Sequence, residues 1–360
     1  MSKRILVTGG AGFVGRHLLA GLLQSDPDCE VWIVDDYSTG KPPDRWELRR
    51  GRETQDLGWG KRYALEGIES RPFTVINANF AALIGGELGH FPTLSIPPLP
   101  AFEETYHLAS IVGGRQMIEG KPLLVGIDLA IDSLFFLWAA TRESPGRILY
   151  ASSSAAYPIN MQTAGEFSAL SEEIIDFENG VLAPDMTYGW SKLTGEYLSQ
   201  IAVQKHRMSV AIVRPFSGYG EDQDVSYPVP AIALRAAART NPLFVWGSGQ
   251  QGRDFIHISD CVDGIILACR TISDGSAVNL GSGVLTSFLE LAALMARHAG
   301  YDAEVKGTDN RPVGVAKRVS GGRNAEALLH WKPKVTLEDG MRRVVEHADW
   351  RLANGYVPAT

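Results

Sequence analysis

The feature that most constrains the fold is a glycine-rich turn at residues 8–15, with the sequence Thr-Gly-Gly-Ala-Gly-Phe-Val-Gly. It directly follows a short apolar run, Ile5–Thr8, and it leads into residues with the apolar spacing of an amphipathic helix. Glycines in such a turn let the backbone approach a pyrophosphate, and the last one lets helix and strand pack closely. The pattern predicts a strand–turn–helix unit that binds a dinucleotide. The predicted contacts are Gly9, Gly12, Phe13, Val14 and Gly15.

A second apolar run, Val31–Val34, ends in Asp35 and Asp36. Asp35 follows Gly15 by about twenty residues, the spacing at which a carboxylate accepts hydrogen bonds from the adenosine ribose hydroxyls of a dinucleotide. No arginine or lysine follows at once to bind a 2′-phosphate, although Lys41 lies a few residues further on. The sequence therefore predicts NAD, rather than NADP, as the cofactor.

Short apolar runs continue to alternate with helix-like segments along the first two-thirds of the chain. The further strand-like runs are Thr105–Leu108, Ile148–Ala151 and Val210–Val213, and the helix-like segments cover Leu123–Ala140 and Tyr188–His206. Runs that are apolar throughout are typical of parallel strands buried on both faces. The alternation predicts an α/β fold with a Rossmann-type doubly wound parallel sheet.

Two regions depart from this alternation. Between Lys41 and Glu104, paired prolines, clustered arginines and many glycines favour loops and short pieces, with the arginines on a solvated surface or on a lid near the cofactor. After about residue 215, short helical and strand-like pieces predict a smaller C-terminal α/β domain at the carboxyl end of the sheet, where such sheets bind ligands. We expect an NAD-binding domain over residues 1–215 and a mainly substrate-binding domain over 216–360, with some interleaving of the chain.

Composition narrows the class of protein further. The 360 residues are 45% hydrophobic, enough for a large core, and the net charge of −7 gives no reason to expect nucleic-acid or anionic-membrane partners. Three cysteines without CxxC or zinc spacing, and no His/Asp/Glu cluster, argue against disulfides and metals. The longest apolar stretch is interrupted by Gly126, Asp128 and Asp132, which argues against a membrane span. We expect a cytoplasmic protein.

A second chemical pattern lies at residues 188–192, Tyr-Gly-Trp-Ser-Lys. A spacing of four residues places the Tyr188 phenol and the Lys192 ammonium on one helix face, where the lysine favours the phenolate form. A serine run that includes Ser153 follows the strand-like run ending at Ala151, and it could supply a hydroxyl to hydrogen-bond a reacting oxygen. Tyr188 is predicted to be the general base for a hydroxyl whose carbon loses hydride.

Ordered sequence blocks extend these patterns over nearly the whole chain. They are TGGAGFVG at 8–15, HLAS at 107–110, SSSAAY at 152–157, YGWSK at 188–192, RPFSGYG at 214–220, RDFIHISD at 253–260, NLGSG at 279–283 and LLHWKPKVTLEDG at 328–340. With these blocks the chain resembles the extended short-chain dehydrogenase/reductases, in particular the NAD-dependent nucleotide-sugar epimerases and dehydratases. The resemblance implies an enzyme that acts on a nucleoside-diphosphate sugar and forms a homodimer through the Leu123–Ala140 and Tyr188–His206 helices.

The resemblance also implies roles in catalysis and cofactor binding. Ser153 would be the catalytic hydroxyl and Tyr188 the base. Lys192 would be the partner of Tyr188 and a ligand of the nicotinamide ribose. Leu108 and Ala109, in the HLAS block, would contact the cofactor.

Substrate binding is implied for a further set of residues. Arg253 and Arg311 would hold the substrate diphosphate, for which guanidinium groups are well suited. Arg214, His107 and His257 would have structural roles. The other implied substrate contacts are Ser110, Gly113, Gly114, Ser154 and Ser217.

The chain departs from the family pattern at positions that carry chemistry. Family dehydratases have an Asp-Glu pair just after the catalytic hydroxyl, where this chain has Ser154 and Ala155. Ala155 also stands where the decarboxylases have Glu and the GDP-mannose 3,5-epimerases have an acid/base cysteine. What is left is hydride transfer with one proton relay, which favours C4 epimerisation through a transient 4-keto sugar.

Other departures keep alternatives open. Ser217 replaces a common Asn, Asn79 stands where an acidic residue is expected near the adenine, and Gly113-Gly114 indicates either room for a bulkier sugar or a flexible helix entry. The alternatives are C2 or C3/C5 epimerisation, net redox chemistry or dehydration of an unusual sugar nucleotide, and a non-catalytic NAD-binding protein.

Overall fold

The computed structural model describes residues 2–165, 167–308 and 314–356. Its strands are β1 (Lys3–Thr8), β2 (Cys29–Asp35), β3 (Gly51–Asp56), β4 (Lys61–Leu65), β5 (Ile68–Asn77), β6 (Glu104–His107), β7 (Arg147–Ala151), β8 (Ser209–Pro215), β9 (Ser217–Tyr219), β10 (Leu243–Trp246), β11 (Gly252–His257), β12 (Asp274–Leu280), β13 (Leu285–Ser287), β14 (Val305–Thr308) and β15 (Lys317–Arg318). Its helices are α1 (Phe13–Ser25), α2 (Phe80–Glu87), α3 (Arg115–Gly120), α4 (Pro122–Val125), α5 (Ile127–Thr141), α6 (Met186–His206), α7 (Pro228–Ala237), α8 (Ile258–Thr271), α9 (Phe288–His298), α10 (Asn324–Leu329) and α11 (Leu337–Ala353).

One large sheet forms the centre of the molecule. Its strand order is β12-β8-β7-β6-β1-β2-β5-β4-β3, and all neighbours from β12 to β5 are parallel. An apolar core that includes α1 and α8 covers one face, and a second core that includes α2, α5 and α6 covers the other. The predicted Rossmann-type doubly wound sheet is confirmed, and the five predicted apolar runs lie in β1, β2, β6, β7 and β8.

Residues 41–104 contain loops and short elements as predicted, but more regular structure than the sequence indicated. This region contains β3, β4, β5 and α2, and β5 extends the parallel sheet with Thr74 opposite Trp32. Strands β4 and β3 then add an antiparallel edge. Because β3 is polar and exposed along nearly its whole length, no apolar alternation marks it in the sequence, and its position is set by its pairing with β4.

The chain after residue 215 contributes to two parts of the fold. Helix α8 packs on α1, and β12 adds a strand to the large sheet beside β8. Helices α7, α9 and α11 instead pack around an apolar core of their own. Two small sheets complete this part, one of β10 with β14 and one in which β11 contacts β9, β13 and β15. The domain boundary at residue 215 stays a prediction.

The predicted helix over Leu123–Ala140 is interrupted at Gly126, where α4 ends and α5 follows. Pro122–Thr141 is the one stretch of the described chain that is long and apolar enough to cross a bilayer. Nearly half of it is buried in the protein, and its two aspartates, Asp128 and Asp132, are buried as well. Packing of α5 against α2 and α6 accounts for the buried part of its apolar composition.

Candidate active site

The glycine turn lies between β1 and α1, next to the end of β6. Gly9 has a φ of +68°, and a Cβ added there would lie 2.8 Å from the Ala109 backbone. A Cβ on Gly15 would lie 2.5 Å from Gly10 Cα, whereas the nearest atom to one on Gly12 is Gly9 O at 3.3 Å. Gly12 is the N-cap of α1 and provides no capping side chain. The turn therefore fits a pyrophosphate at the helix N-terminus, with Leu108 and Ala109 alongside.

The two acidic residues at the end of β2, Asp35 and Asp36, have different surroundings in the structure. Asp35 is buried and accepts hydrogen bonds from the backbone N–H groups of Ala11 (2.9 Å) and Tyr37 (2.8 Å), so it braces the glycine turn. Burial raises its pKa above the ordinary value. Asp36 is exposed and accepts from Ser38 N (2.9 Å) and Asn79 Nδ2 (2.9 Å). Asn79, at the expected adenine position, thus fixes Asp36 at the mouth of the cofactor site.

Thr8 and His107 join the ends of β1 and β6. Thr8 Oγ1 accepts from the N–H groups of Leu108 (3.2 Å) and Ala109 (3.1 Å), and it lies 2.8 Å from His107 Nδ1. His107 is buried, and burial lowers its pKa, which favours the neutral ring. In the structure His107 fixes the two predicted cofactor-binding backbone segments to each other.

Helix α6, called the catalytic helix below because it carries the predicted catalytic pair, presents Tyr188 and Lys192 on the same face. Lys192 is buried, and its Nζ lies 5.8 Å from the centre of the Tyr188 ring and 5.5 Å from that of Tyr150. Burial by itself would lower the pKa of Lys192, but Tyr188, Asp132 and Asp128 outweigh it and raise the pKa above the usual value. The ammonium is therefore charged beside the phenol, as the sequence predicts.

The predicted catalytic hydroxyl lies just before a 3-10 turn against the start of α6. Ser153 Oγ accepts from Ala155 N at 3.1 Å, which leaves its own proton available for donation. Ala155 O accepts from Asp185 N at 3.0 Å, and a Cβ on Gly189 would collide with that same oxygen. These contacts hold the turn with Ser153 and the buried Ser154 close to the helix turn that carries Tyr188.

Arg253 belongs to a group of arginines around one buried carboxylate. Pairing of β11 with β15 places Arg318 beside Arg253. Arg318 Nη2 donates to Asp185 Oδ2 at 2.8 Å, and Arg115 Nη1 donates to both oxygens of Asp185 at 2.8 and 2.9 Å. We call Arg115, Asp185, Arg253 and Arg318 the arginine cluster.

The charges of the arginine cluster favour an anionic ligand. Burial and repulsion from Arg318 lower the pKa of Arg253, and burial lowers that of Arg318. Guanidinium groups nevertheless keep their charge at neutral pH. Arg115 pairs with both Asp185 and Glu119, and Arg318 pairs with Asp185. A diphosphate would be an anionic ligand well suited to guanidinium groups.

Sequence reasoning missed Arg115, Asp185 and Arg318. Arg115 directly follows the glycine pair, and Asp185 is the N-cap residue of the catalytic helix, so both could have been noticed. No local pattern marks Arg318, because only strand pairing brings it to Arg253.

The other predicted substrate contacts in the described residues lie on the loop after β6 and on β9, while Arg311 lies outside the described residues. Ser110 Oγ donates to Asp128 Oδ2 at 2.6 Å. A Cβ on Gly113 would lie 2.8 Å from Met117 Cβ, and one on Gly114 2.6 Å from Ser226 O, so the close packing of this loop requires both glycines. Ser217 lies on β9, opposite Phe255 of β11.

The residues expected to be structural are built into the fold. Arg214 donates to Glu196 through Nε (2.9 Å) and Nη2 (2.7 Å) in a buried ion pair. His257 is also buried, and its Nε2 lies 3.1 Å from Glu221 Oε2. Across the described ranges no group of three or more His, Cys, Asp or Glu side chains could hold a metal ion.

Known proteins match this chain over most of its length. The model of the family described as NAD dependent epimerase/dehydratase matches residues 5–90 and 98–281. The chain is 29% identical over 346 residues to an uncharacterized UDP-glucose epimerase of Bacillus subtilis, with 96% of this chain and 97% of that protein covered. It is 27% identical over 372 residues to a dTDP-glucose 4,6-dehydratase of Actinoplanes, with 98% of each covered.

A solved structure shows the same fold. The UDP-glucuronic acid 4-epimerase from Bacillus cereus, in complex with UDP-glucuronic acid and NAD, has a TM-score of 0.73 at 22% identity, over 96% of this chain and 99% of that one. The family match covers more than half of the chain and includes both the glycine turn and the Tyr188–Lys192 pair. The chain therefore belongs to the NAD-dependent epimerase/dehydratase family of extended short-chain dehydrogenase/reductases, with NAD as its cofactor.

Proposed function

We propose that this protein is an NAD-dependent nucleotide-sugar epimerase that inverts C4 of the sugar through a transient 4-keto intermediate. The observation that carries the proposal is that the turn with Ser153 packs against the helix that carries Tyr188 and Lys192, with Ser154 and Ala155 in place of further acid/base groups. Such a set supports one reversible alcohol oxidation and nothing that needs a second proton acceptor.

Each of the three side chains has a separate role in that oxidation. Tyr188 accepts the proton of the C4 hydroxyl, and Lys192 favours the phenolate that accepts it. Ser153 donates a hydrogen bond to the same sugar oxygen. NAD, when bound, supplies the hydride acceptor and the hydride donor. After the keto sugar turns over, Tyr188 returns the proton to the oxygen on the inverted carbon.

Elimination of water from the sugar, as in a dehydratase, would need a carboxylate able to take a proton. Ala155 is buried and has no such group. Asp185 lies close to the catalytic helix, but it is ion-paired. Its burial would raise its pKa, but Arg318 and Arg115 outweigh burial and lower the pKa, so Asp185 is a weak proton acceptor. This arrangement favours epimerisation over dehydration.

A sugar that turns over between two hydride transfers must be held mainly by its nucleotide diphosphate. The arginine cluster offers guanidinium groups for that purpose, and it lies on strands β11 and β15, at the start of α3 and at the N-cap of the catalytic helix. We propose that Arg253 and Arg318 bind the diphosphate, with Arg311 as a further ligand.

The test is conversion of C4 epimer pairs of UDP-sugars, such as UDP-glucose and UDP-galactose, with NAD and no added oxidant. We expect Tyr188→Phe to abolish turnover while NAD binding persists, because only the proton acceptor is lost. Tyr197→Phe is the matched control, since Tyr197 is an exposed tyrosine on the same helix. It should retain wild-type turnover.

Other outcomes would replace the proposal. NADH that accumulates in step with product would indicate a dehydrogenase. A dehydrated product would indicate a dehydratase, and a decarboxylated product would indicate a decarboxylase. An inactive protein that binds NAD without exchanging hydride would indicate a non-catalytic role. Thermal-shift screening of uridine, guanosine, cytidine and thymidine diphosphates would identify the nucleotide, because a bound ligand stabilises the folded state.

We also propose that the protein is a homodimer and that it is cytoplasmic. Leu123, Ile127 and Leu137 on α4 and α5 and Trp190 on α6 are exposed apolar side chains, Leu123 at 91%. Exposed apolar side chains on neighbouring helices are typical of an interface between copies. All three cysteines are free thiols, which suits a reducing compartment.

A further inference from the structure

A buried ion pair is bonded to both ends of the turn that carries Ser153. Glu196 is 1% exposed and Arg214 is 3% exposed. Arg214 donates to both oxygens of Glu196, through Nε at 2.9 Å and through Nη2 at 2.7 Å. Apolar residues of similar volume often stabilise a fold at least as well as a buried ion pair, because two charges lose their hydration. Stability alone therefore does not account for this pair, and its further hydrogen bonds indicate a second role.

Glu196 lies on the same helix as the predicted catalytic pair. It follows Lys192 by four residues, as Lys192 follows Tyr188, so neighbouring members of these three lie one helical turn apart. A regular helix places Glu196 about 12 Å along the axis from Tyr188. A group that is bonded to Glu196 is therefore held at a fixed place relative to the proposed base.

The first residue of the turn is bonded directly to this carboxylate. We call residues 152–157 the serine turn. Ser152 is buried, and its Oγ donates to Glu196 Oε1. The Ser152 N–H donates to Val213 O of β8 at 2.9 Å. The residue directly before Ser153 is thus joined to the sheet by its backbone and to the catalytic helix by its hydroxyl.

The last residue of the serine turn reaches the same ion pair through the arginine. Tyr157 is fully buried, and its Oη accepts from Arg214 Nη1 at 2.9 Å and donates to Asn279 Oδ1 at 2.8 Å. The guanidinium carbon of Arg214 lies 5.0 Å from the centre of the Tyr157 ring. Burial raises the pKa of Tyr157 to about 12, so its hydroxyl stays protonated and makes both bonds at neutral pH.

We propose that Glu196 is a positioning residue: with Arg214 it fixes both ends of the serine turn to the catalytic helix and so sets the place of the Ser153 hydroxyl relative to Tyr188. The inference rests on the proposed function, because it takes Ser153 as the hydrogen-bond donor to the reacting sugar oxygen. Such a donor must be held in place before the substrate arrives if it is to favour the transition state.

The other contacts of the serine turn leave this task to its ends. Ser153 Oγ accepts from Ala155 N at 3.1 Å, a bond that lies within the turn and moves with it. The middle of the turn is anchored at one point, where Ala155 O accepts from Asp185 N at 3.0 Å. A single anchor permits rotation of the turn about it, whereas added anchors at both ends prevent that rotation.

The test removes the hydroxyl that Glu196 holds. Substitution of Glu196 or Arg214 would leave an unpaired buried charge and endanger folding, whereas Ser152→Ala leaves the ion pair intact. We expect kcat for epimerisation to fall at least about tenfold, since a displacement of about 1 Å can cost up to about a hundredfold. KM for the sugar nucleotide should stay within about twofold, because the proposed diphosphate ligands are unchanged.

Ser199→Ala is the matched control. Ser199 is a fully buried serine on the same helix, and its Oγ donates to Gly195 O at 2.8 Å, so this change also deletes one buried hydroxyl and one hydrogen bond. Because Ser199 is not bonded to the serine turn, its variant should keep the wild-type kcat. Both variants should lower the midpoint of urea unfolding by a similar amount, which separates a loss of position from a loss of stability.

A second measurement does not require activity. Hydrogen–deuterium exchange of the NAD-bound protein, without sugar nucleotide, reports the opening of the serine turn through peptides that cover residues 152–157. We expect Ser152→Ala to speed exchange there about fivefold, as the loss of one net hydrogen bond implies. Ser199→Ala should leave exchange of these peptides at the wild-type rate.

A wild-type kcat in Ser152→Ala would overturn the inference, and so would an equal loss of kcat in Ser199→Ala. If Ser152→Ala fails to fold by circular dichroism, Tyr157→Phe decides by the same two measurements, because it removes the hydroxyl at the other end of the turn. Faster exchange in a protein whose wild type lacks epimerase activity rejects the proposed function alone. Unchanged exchange rejects this inference whether or not the wild type is an active epimerase.

Discussion

Gly12 and Gly15 stand three residues apart in one turn, but an added methyl group would meet different surroundings. On Gly15 it would lie 2.5 Å from the Gly10 backbone, a contact that the turn cannot relieve by moving a side chain. On Gly12, whose φ of −69° any residue adopts, it would meet only Gly9 O at 3.3 Å. One glycine is therefore required by the fold itself, and the other by the approach of a ligand.

We predict that Gly15→Ala lowers the free energy of unfolding by about 1–3 kcal/mol, because the turn must shift to admit the methyl group. Gly12→Ala should cost less, under about 1 kcal/mol, because its Cβ would lie 3.3 Å from Gly9 O, a tight contact that a small shift relieves. It should nevertheless weaken NAD binding at least about tenfold, since the methyl group lies where the pyrophosphate approaches. Urea unfolding without NAD and calorimetric titration with NAD measure the two effects. Equal destabilisation by Gly12→Ala and Gly15→Ala would contradict the different roles assigned to these two glycines.

At the scale of elements, α11 is fixed to the segment before β3 by one carboxylate. Glu47 accepts from Arg351 Nε at 2.7 Å, lies 3.1 Å from His347 Nε2, and forms an ion pair with Lys41 at 3.2 Å. Burial would raise the pKa of Glu47, but the bonds from His347 and Arg351 outweigh it and lower the pKa far below the usual range. Residues about 300 positions apart are thereby joined.

The pH dependence follows from the sign of that shift. A carboxyl group with a lowered pKa stabilises the fold above its unfolded pKa of about 4.3, and this contribution is lost as the pH falls towards the folded value. We predict that Glu47→Gln lowers the free energy of unfolding by about 1–2 kcal/mol at neutral pH. The difference from the wild type should shrink at about pH 3, as measured by urea unfolding at both pH values.

Glu346→Gln is the matched control for this prediction. Glu346 is an exposed carboxylate on the same helix, paired only with the exposed Arg342, so its removal should change the unfolding free energy little at either pH. A Glu47→Gln effect that stays constant from neutral to acid pH would show that the ion pairs contribute nothing to the loss of stability in acid.

At the scale of the whole molecule, the exposed apolar side chains of α4, α5 and α6 form the surface through which we propose that two copies associate. Trp190, one of its members, lies between Tyr188 and Lys192 in the sequence.

We predict that the wild-type protein has twice its chain mass of 39.1 kDa in light scattering coupled to size exclusion. Leu137→Asp should shift the protein to the chain mass, because an unpaired charge at an apolar interface is strongly unfavourable. Phe244→Asp is the control: Phe244 is similarly exposed, but it lies on β10. A wild-type protein that has the chain mass at micromolar concentration would reject the dimer.

The sequence by itself determined the parts of this protein that depend on local spacing. The sequence predicts the parallel strands, the glycine turn and the Tyr188–Lys192 pair from the spacing of residues that are close in the chain. Helix and strand periodicity convert such short spacings directly into geometry. The same holds for the family match, which rests on blocks in fixed order.

Only the tertiary structure decided the rest. The β3–β4 edge is held by strand pairing rather than by an apolar pattern, and Arg318 reaches Arg253 only because β15 pairs with β11. Arg115 and Asp185 meet although they lie 70 positions apart in the sequence. Two aspartates that only interrupt an apolar run in the sequence, Asp128 and Asp132, are buried and hydrogen-bonded in the structure. Contacts of this kind depend on how separate elements pack, and no local spacing encodes that packing.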